Sequence, residues 1–161
     1  MARRQFDVIR EGLETAFRSA PEILFVGGAG NSNNDIEFDE FVPPMLQLDN
    51  LLIAGAVDQA GEATTFTSFG PTVNVYANGY EVESYVPGGD RLPFSGTSMA
   101  SPNVANLASK LFALDPSLTP AQVVSLILDN ADVVQEGDET MRIINPRRSA
   151  EALMRANGKA L

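Results

Sequence analysis

The sequence predicts an α/β domain. Two short apolar runs without polar alternation, at residues 23–26 and 51–57, suit strands covered on both faces, as in a parallel sheet. Helical apolar stripes precede and follow these runs, an order that places helices against a sheet. The chain has 161 residues, 44% of them hydrophobic and 20% charged, which is enough for one domain with its own core.

Phe6, Ile9, Leu13, Ala16, Phe17 and Ala20 recur at three- and four-residue spacing and predict a helix over residues 3–20. Pro21 ends it, because proline cannot extend an established helix. Ile23-Leu24-Phe25-Val26 is the first strand, and Gly27-Gly28-Ala29-Gly30-Asn31 follows at once. Residues 32–50 are polar and acidic, with Pro43-Pro44 in the middle, and read as a loop. Leu51 to Val57 forms the second strand. Shorter strands lie near 73–76 and 81–86, separated by the turn signal Asn78-Gly79. A helix starts at Thr97 or Ser98, with Val104, Leu107, Leu111 and Leu114 on one face, and Asp115-Pro116 closes it. Thr119, Pro120 and Gln122 form the opening of the next helix: a cap, a proline at the first position and the far half of a capping box. A last helix spans 147–156, with Asn157-Gly158 as its end signal.

Composition excludes several functions. With 21 acidic and 11 basic residues the net charge is -10, so the surface repels phosphate backbones and nucleic acid is not a partner. No apolar run reaches the roughly 18 residues of a membrane span. The chain has no cysteine, hence no disulfide, thiolate zinc site or cysteine nucleophile. It has no histidine either, so it cannot supply an imidazole base. Gly28-Ala29-Gly30 lacks the third glycine and the lysine-containing loop of a nucleotide site.

Gly96-Thr97-Ser98-Met99-Ala100-Ser101-Pro102 is the stretch that carries chemistry. A glycine turn delivers hydroxyl residues to a helix N-terminus, where free N–H groups point outward and favour negative charge. An oxyanion formed by attack of Ser98 on a carbonyl would develop there. The hydroxyl pattern alone is also that of an ordinary helix cap.

These seven residues resemble the nucleophile motif of the subtilisin-like serine proteases, the subtilases. The resemblance continues into Asn103-Val104-Ala105, although the family commonly has His at the position of Asn103 and Gly at that of Asn106. Leu24-Phe25-Val26-Gly27-Gly28-Ala29-Gly30-Asn31-Ser32 resembles the strand ending in the family's oxyanion asparagine. Leu52-Ile53-Ala54-Gly55-Ala56-Val57-Asp58 resembles the next core strand. Thr65-Phe66-Thr67-Ser68-Phe69-Gly70 resembles its Phe-Ser-x-x-Gly turn, and Asn74-Val75-Tyr76-Ala77-Asn78-Gly79 a segment that more often reads Asp-Val-x-Ala-Pro-Gly. The matches run in order from about residue 5 to about residue 152.

The resemblance implies a partial subtilisin-like three-layer fold, with a parallel sheet core flanked by helices. Residues 1–161 would be the C-terminal portion of a peptidase domain. Ser98 would be the nucleophile that forms an acyl-enzyme, and Asn31 the oxyanion donor. Gly28, Ala29, Gly30 and Thr97 would contact substrate. The family's triad runs Asp, His, Ser, and only the serine is here, so the chain alone is expected to be inactive. Asp58 and Asp90 do not match the position of the triad aspartate. The expected partners are a peptide or protein substrate, the missing N-terminal half and, for the fragment, a second copy covering exposed sheet. The resemblance also implies a secreted or periplasmic setting. A catalytically dead binding or scaffold module of the same family is the rival reading.

No cofactor is required for this chemistry, but the family has structural calcium sites. Asn74 stands where a ligand aspartate is commoner, and Asp35, Glu37, Asp39 and Glu40 form an acidic run that is either a cation site or a solvated loop. Pro43 or Pro44 matches a cis-proline of the family.

Overall fold

The computed structural model describes residues 2–38, 41–136 and 139–158; Asp39 and Glu40 of the acidic run lie outside them. Helix α1 (Ala2–Arg18) stops two residues short of the predicted end. Its last turn tightens, with the Ala20 N–H bonding the Phe17 carbonyl at 3.2 Å, one residue before Pro21. The carbonyls left over at this end are gathered by one side chain. The buried Asn50 Nδ2 lies 3.0, 3.1 and 3.2 Å from the carbonyls of Phe17, Ala20 and Ile23. Phe17 also stacks on Phe25, with ring centroids 4.1 Å apart, and so joins the helix to the first strand.

Strands β1 (Phe25–Gly28), β2 (Leu51–Val57) and β3 (Val75–Asn78) are parallel, with Phe25 opposite Leu51 and Ala54 opposite Val75. All seven residues of β2 are buried, which is why its sequence shows no alternation. A hairpin of β4 (Val82–Tyr85) and β5 (Arg91–Phe94) stands apart from the main sheet. Helix α2 (Thr97–Leu114) follows, then α3 (Pro120–Asp129), whose Thr119–Gln122 capping box is formed in both directions. Strands β6 (Asp132–Glu136) and β7 (Glu139–Ile143) extend the sheet to the order β1-β2-β3-β7-β6, with β7 parallel to β3 and β6 antiparallel to β7. Helix α4 (Pro146–Ala156) is capped by Asn145.

The arrangement is three-layered. On one face Leu52, Ala54, Ala56, Val75 and Ala77 pack against Ala100, Val104, Leu107 and Leu111 of α2, with Val123, Ile127 and Leu153 behind. On the other, Leu51 and Ile53 pack with Ala29, Ile36 and Leu46, and Leu13 and Phe17 of α1 lie against them. The small residues at 54 and 56 let α2 approach the sheet closely, and this holds the start of α2 beside the ends of β1 and β3.

The β6–β7 hairpin and strand β5 go beyond the predicted elements. The hairpin signal is in the sequence: two β-type segments flank Gly137-Asp138. Its short β6 edge, with Val133 and Val134 exposed, hides the alternation that a longer strand would show.

Candidate active site

The site forms where β1, β3 and the start of α2 converge. Beyond β1, the Ala29 N–H continues the parallel ladder to the Ala54 carbonyl at 2.9 Å. Gly30, at φ +111°, then turns the chain outward and presents Asn31 on the surface. Beyond β3, Gly79 is pinned by its N–H to the Val57 carbonyl at 2.9 Å, and its own carbonyl takes the Gly96 N–H at 2.8 Å. That bond closes the excursion through the β4–β5 hairpin and sets the register at which α2 begins.

Gly96 is the N-cap of α2 and carries no side-chain cap. The cap comes instead from across the site. The Thr97 N–H donates to Asn31 Oδ1 at 2.8 Å, and the Thr97 hydroxyl donates to the same oxygen at 3.0 Å while accepting the Gly30 N–H at 3.1 Å. A backbone N–H can only donate, so the Asn31 oxygen must face Thr97 and the amide nitrogen must face away. The Asn31 Nδ2 has no hydrogen-bond partner among the described residues, and neither has the Ser98 N–H. A Cβ on Gly96 would stand 3.3 Å from that Nδ2. Two open donors therefore flank Gly96 at a helix N-terminus, beside an exposed Ser98, where the macrodipole reinforces them.

The other predicted site residues separate by position. Ala29 and Gly30, with Asn31, line a cavity of about 310 Å³. Gly28 faces inward: a Cβ there would meet Thr97 Oγ1 at 2.8 Å. Thr97 is buried, and its polar groups are spent on Gly30 and Asn31, so it holds the asparagine rather than meeting solvent. Asp58 Oδ1 takes the N–H groups of Ala60 and Glu62 at 2.8 and 3.0 Å and organises its own turn. Asp90 is exposed beside the tip of the β4–β5 hairpin. Helix α2 runs through Pro102, whose missing N–H would have bonded the carbonyl of the exposed Ser98.

Asn74 Oδ1 accepts the Ile53 N–H at 2.7 Å, and Asp35 Oδ1 accepts that of Glu37 at 2.9 Å. No group of three or more acidic or other metal-ligating side chains gathers among the described residues. The Val42–Pro43 bond is cis, at the first of the two prolines singled out.

A profile of the subtilase family matches residues 7–152. The chain belongs to the subtilase family. Among curated subtilases it is 39% identical to subtilisin of Bacillus pumilus over 101 residues, covering 63% of this chain and 36% of that protein. It is 32% identical to subtilisin DY of Bacillus licheniformis over 115 residues, covering 71% and 41%. Among solved structures, the self-cleaved protease domain of PatA superposes with a TM-score of 0.75 at 26% identity, over 94% of this chain and 56% of that one. A cold-adapted subtilisin-like serine proteinase gives 0.73 at 27%, over 81% and 48%. The chain thus spans about half of these solved subtilase structures, and less of the curated relatives. No described helix is long and apolar enough to cross a membrane.

Sequence reasoning missed the second role of Thr97. Hydroxyl residues at a helix start signal a cap for their own helix; here the hydroxyl reaches a loop 66 positions earlier, and only the sheet brings the two together.

Proposed function

We propose that this chain is the nucleophile-bearing half of a serine endopeptidase that cleaves peptide bonds through an acyl-enzyme on Ser98. The observation that carries the reading is the orientation of Asn31. Thr97 holds its oxygen from two sides, which leaves its amide N–H and that of Ser98 as paired open donors beside an exposed hydroxyl. A carbonyl attacked by Ser98 would develop its negative charge between them. Loss of one such donor costs roughly 10²–10³ in turnover, a magnitude measured in this same family.

The chain lacks histidine, and a serine hydroxyl without a base is a weak nucleophile at neutral pH. An N-terminal half would supply the base and its orienting aspartate, and two features of the surface support that reading. Strand β1 is an edge of the described sheet, and Val8 and Ile9 of α1 are 66% and 55% exposed. In the isolated chain a second copy covers the same surface, because an unpaired parallel edge beside apolar side chains favours association. Family membership supports an extracellular setting for the whole protein.

The test is a fluorophosphonate probe applied to the isolated chain and to the intact parent. Labelling of Ser98 in the parent, its loss in Ser98→Ala, and silence of the isolated chain are expected. Peptide hydrolysis by the purified 161-residue chain that Ser98→Ala abolishes would show that no second half is needed. A parent that never labels at Ser98 is a binding module, and the peptidase reading falls.

A further inference from the structure

Two successive carbonyls at the end of β3 hold the start of α2, one from before Ser98 and one from after it. The Gly79 carbonyl takes the Gly96 N–H at 2.8 Å. The Asn78 carbonyl takes Asn103 Nδ2 at 2.9 Å. The same nitrogen lies 3.4 Å from the carbonyl of Met99, the residue after Ser98, in a longer and weaker contact. A carbonyl oxygen can only accept, so these two partners fix the Asn103 amide with its nitrogen toward the strand end.

The tether sits where the helix is weakest. Pro102 removes the N–H that would have bonded the Ser98 carbonyl, so the regular rung at the residue with the reacting hydroxyl is missing. Ser98 is then held through its neighbours, Thr97 by Asn31 and Met99 by Asn103. The packing behind them has no slack. A Cβ on Gly79 would stand 2.7 Å from both the Ala56 Cβ and the Gly96 carbonyl oxygen, and 3.3 Å from the Ala100 Cβ. At such density a change in the tether is passed on to the first turns of α2 rather than absorbed.

We propose that, in the peptidase reading on which this rests, Asn103 is a positioning residue. It stands in for the rung lost at Pro102 and sets the angle at which Ser98 meets the Asn31 amide. It acts through the backbone of residues 78 and 99 rather than on substrate, so its removal lowers kcat and leaves KM unchanged.

The experiment uses the intact parent. Asn103→Leu keeps the size of the side chain and removes the donor. Asn130→Leu is the comparison: Asn130 Nδ2, also partly buried, donates to the Leu126 carbonyl at 2.8 Å at the C-terminal end of α3, outside the site. Urea midpoints, Ser98 labelling rates and steady-state kinetics on one peptide are measured for each. Both substitutions are expected to lower the midpoint, because each strands a carbonyl. Only Asn103→Leu is expected to slow labelling, by about tenfold, since a misplacement of about 1 Å costs about a hundredfold; kcat falls by the same factor. Asn103→Gln, which keeps the amide, is expected to label faster than Asn103→Leu. Should Asn103→Leu not fold, Asn103→Ala removes the same donor with less crowding and is expected to slow labelling likewise. Labelling at the unmutated rate by folded Asn103→Leu or Asn103→Ala, or equal slowing by Asn130→Leu, overturns the positioning role and leaves the nucleophile standing. A parent that never labels at Ser98 overturns the peptidase reading, and this one with it.

Discussion

The hydroxyl of Thr97 is the part of the site whose removal is most informative, because it can be deleted without changing shape. Thr97→Val keeps the buried volume and the 2.8 Å bond from the residue 97 N–H to Asn31 Oδ1. It deletes the 3.0 Å bond to the same oxygen and leaves the Gly30 N–H, which had bonded the hydroxyl at 3.1 Å, without a partner. One lost hydrogen bond and one stranded donor in a half-buried place together cost about 2–3 kcal/mol. Thr97→Ser loses only a methyl group, at about 1 kcal/mol, and retains both bonds. Urea unfolding of the chain followed by circular dichroism gives these differences as midpoint shifts at constant m. In the intact parent, Val at position 97 is expected to slow Ser98 probe labelling about tenfold, short of the full effect of losing an oxyanion donor, with Ser near the wild-type rate. If Val proves as stable as Ser and labels as fast as Thr, the hydroxyl does not position Asn31.

Gly28→Ala should act on the same contact from the other side. Its Cβ would meet Thr97 Oγ1 at 2.8 Å and the Thr97 backbone carbon at 3.1 Å, so a destabilisation of about 1–3 kcal/mol and slower Ser98 labelling are expected; a silent substitution would mean that β1 and α2 are less tightly apposed. Ser149 lies fully buried in α4 with an Oγ that has no hydrogen-bond partner among the described residues. Ser149→Ala should leave the thermal midpoint unchanged or raise it, by up to about 1 kcal/mol in stability, and a clear loss would reveal a missing partner. On the outer face of α4, the hydrogen bond from Arg147 holds the Glu151 carboxyl below its ordinary range, with Arg155 adding to the effect. A lowered folded-state value means stabilisation that is present above the ordinary carboxylate range and lost as pH falls through the lowered one. Thermal midpoints measured from about pH 7 to about pH 3 should therefore drop less for Glu151→Gln than for the unmutated chain, and parallel curves would contradict the assignment.

Much of this molecule was settled by local chemistry that a one-dimensional reading can follow. The capping box at Thr119 and Gln122 forms as written, because its donors and acceptors lie within one helical turn. The unbroken apolar run of β2 announces a strand buried on both faces, because only there is alternation unnecessary. The serine after Gly96-Thr97 stands at a helix start for the same local reason. What tertiary structure alone decided is everything that depends on partners distant in the chain. Thr97 reads as a cap for its own helix, yet the fold spends it on Asn31 and Gly30. Asn34 reads as one polar loop residue among many, and only the fold brings the Ser68 hydroxyl to its side chain, at 2.9 Å. The physical reason is common to both: the partner groups are supplied across a sheet, from loops and a helix that the spacing of residues does not connect. For Asn31 this also decides the face of the amide, because the Thr97 N–H can only donate to its oxygen.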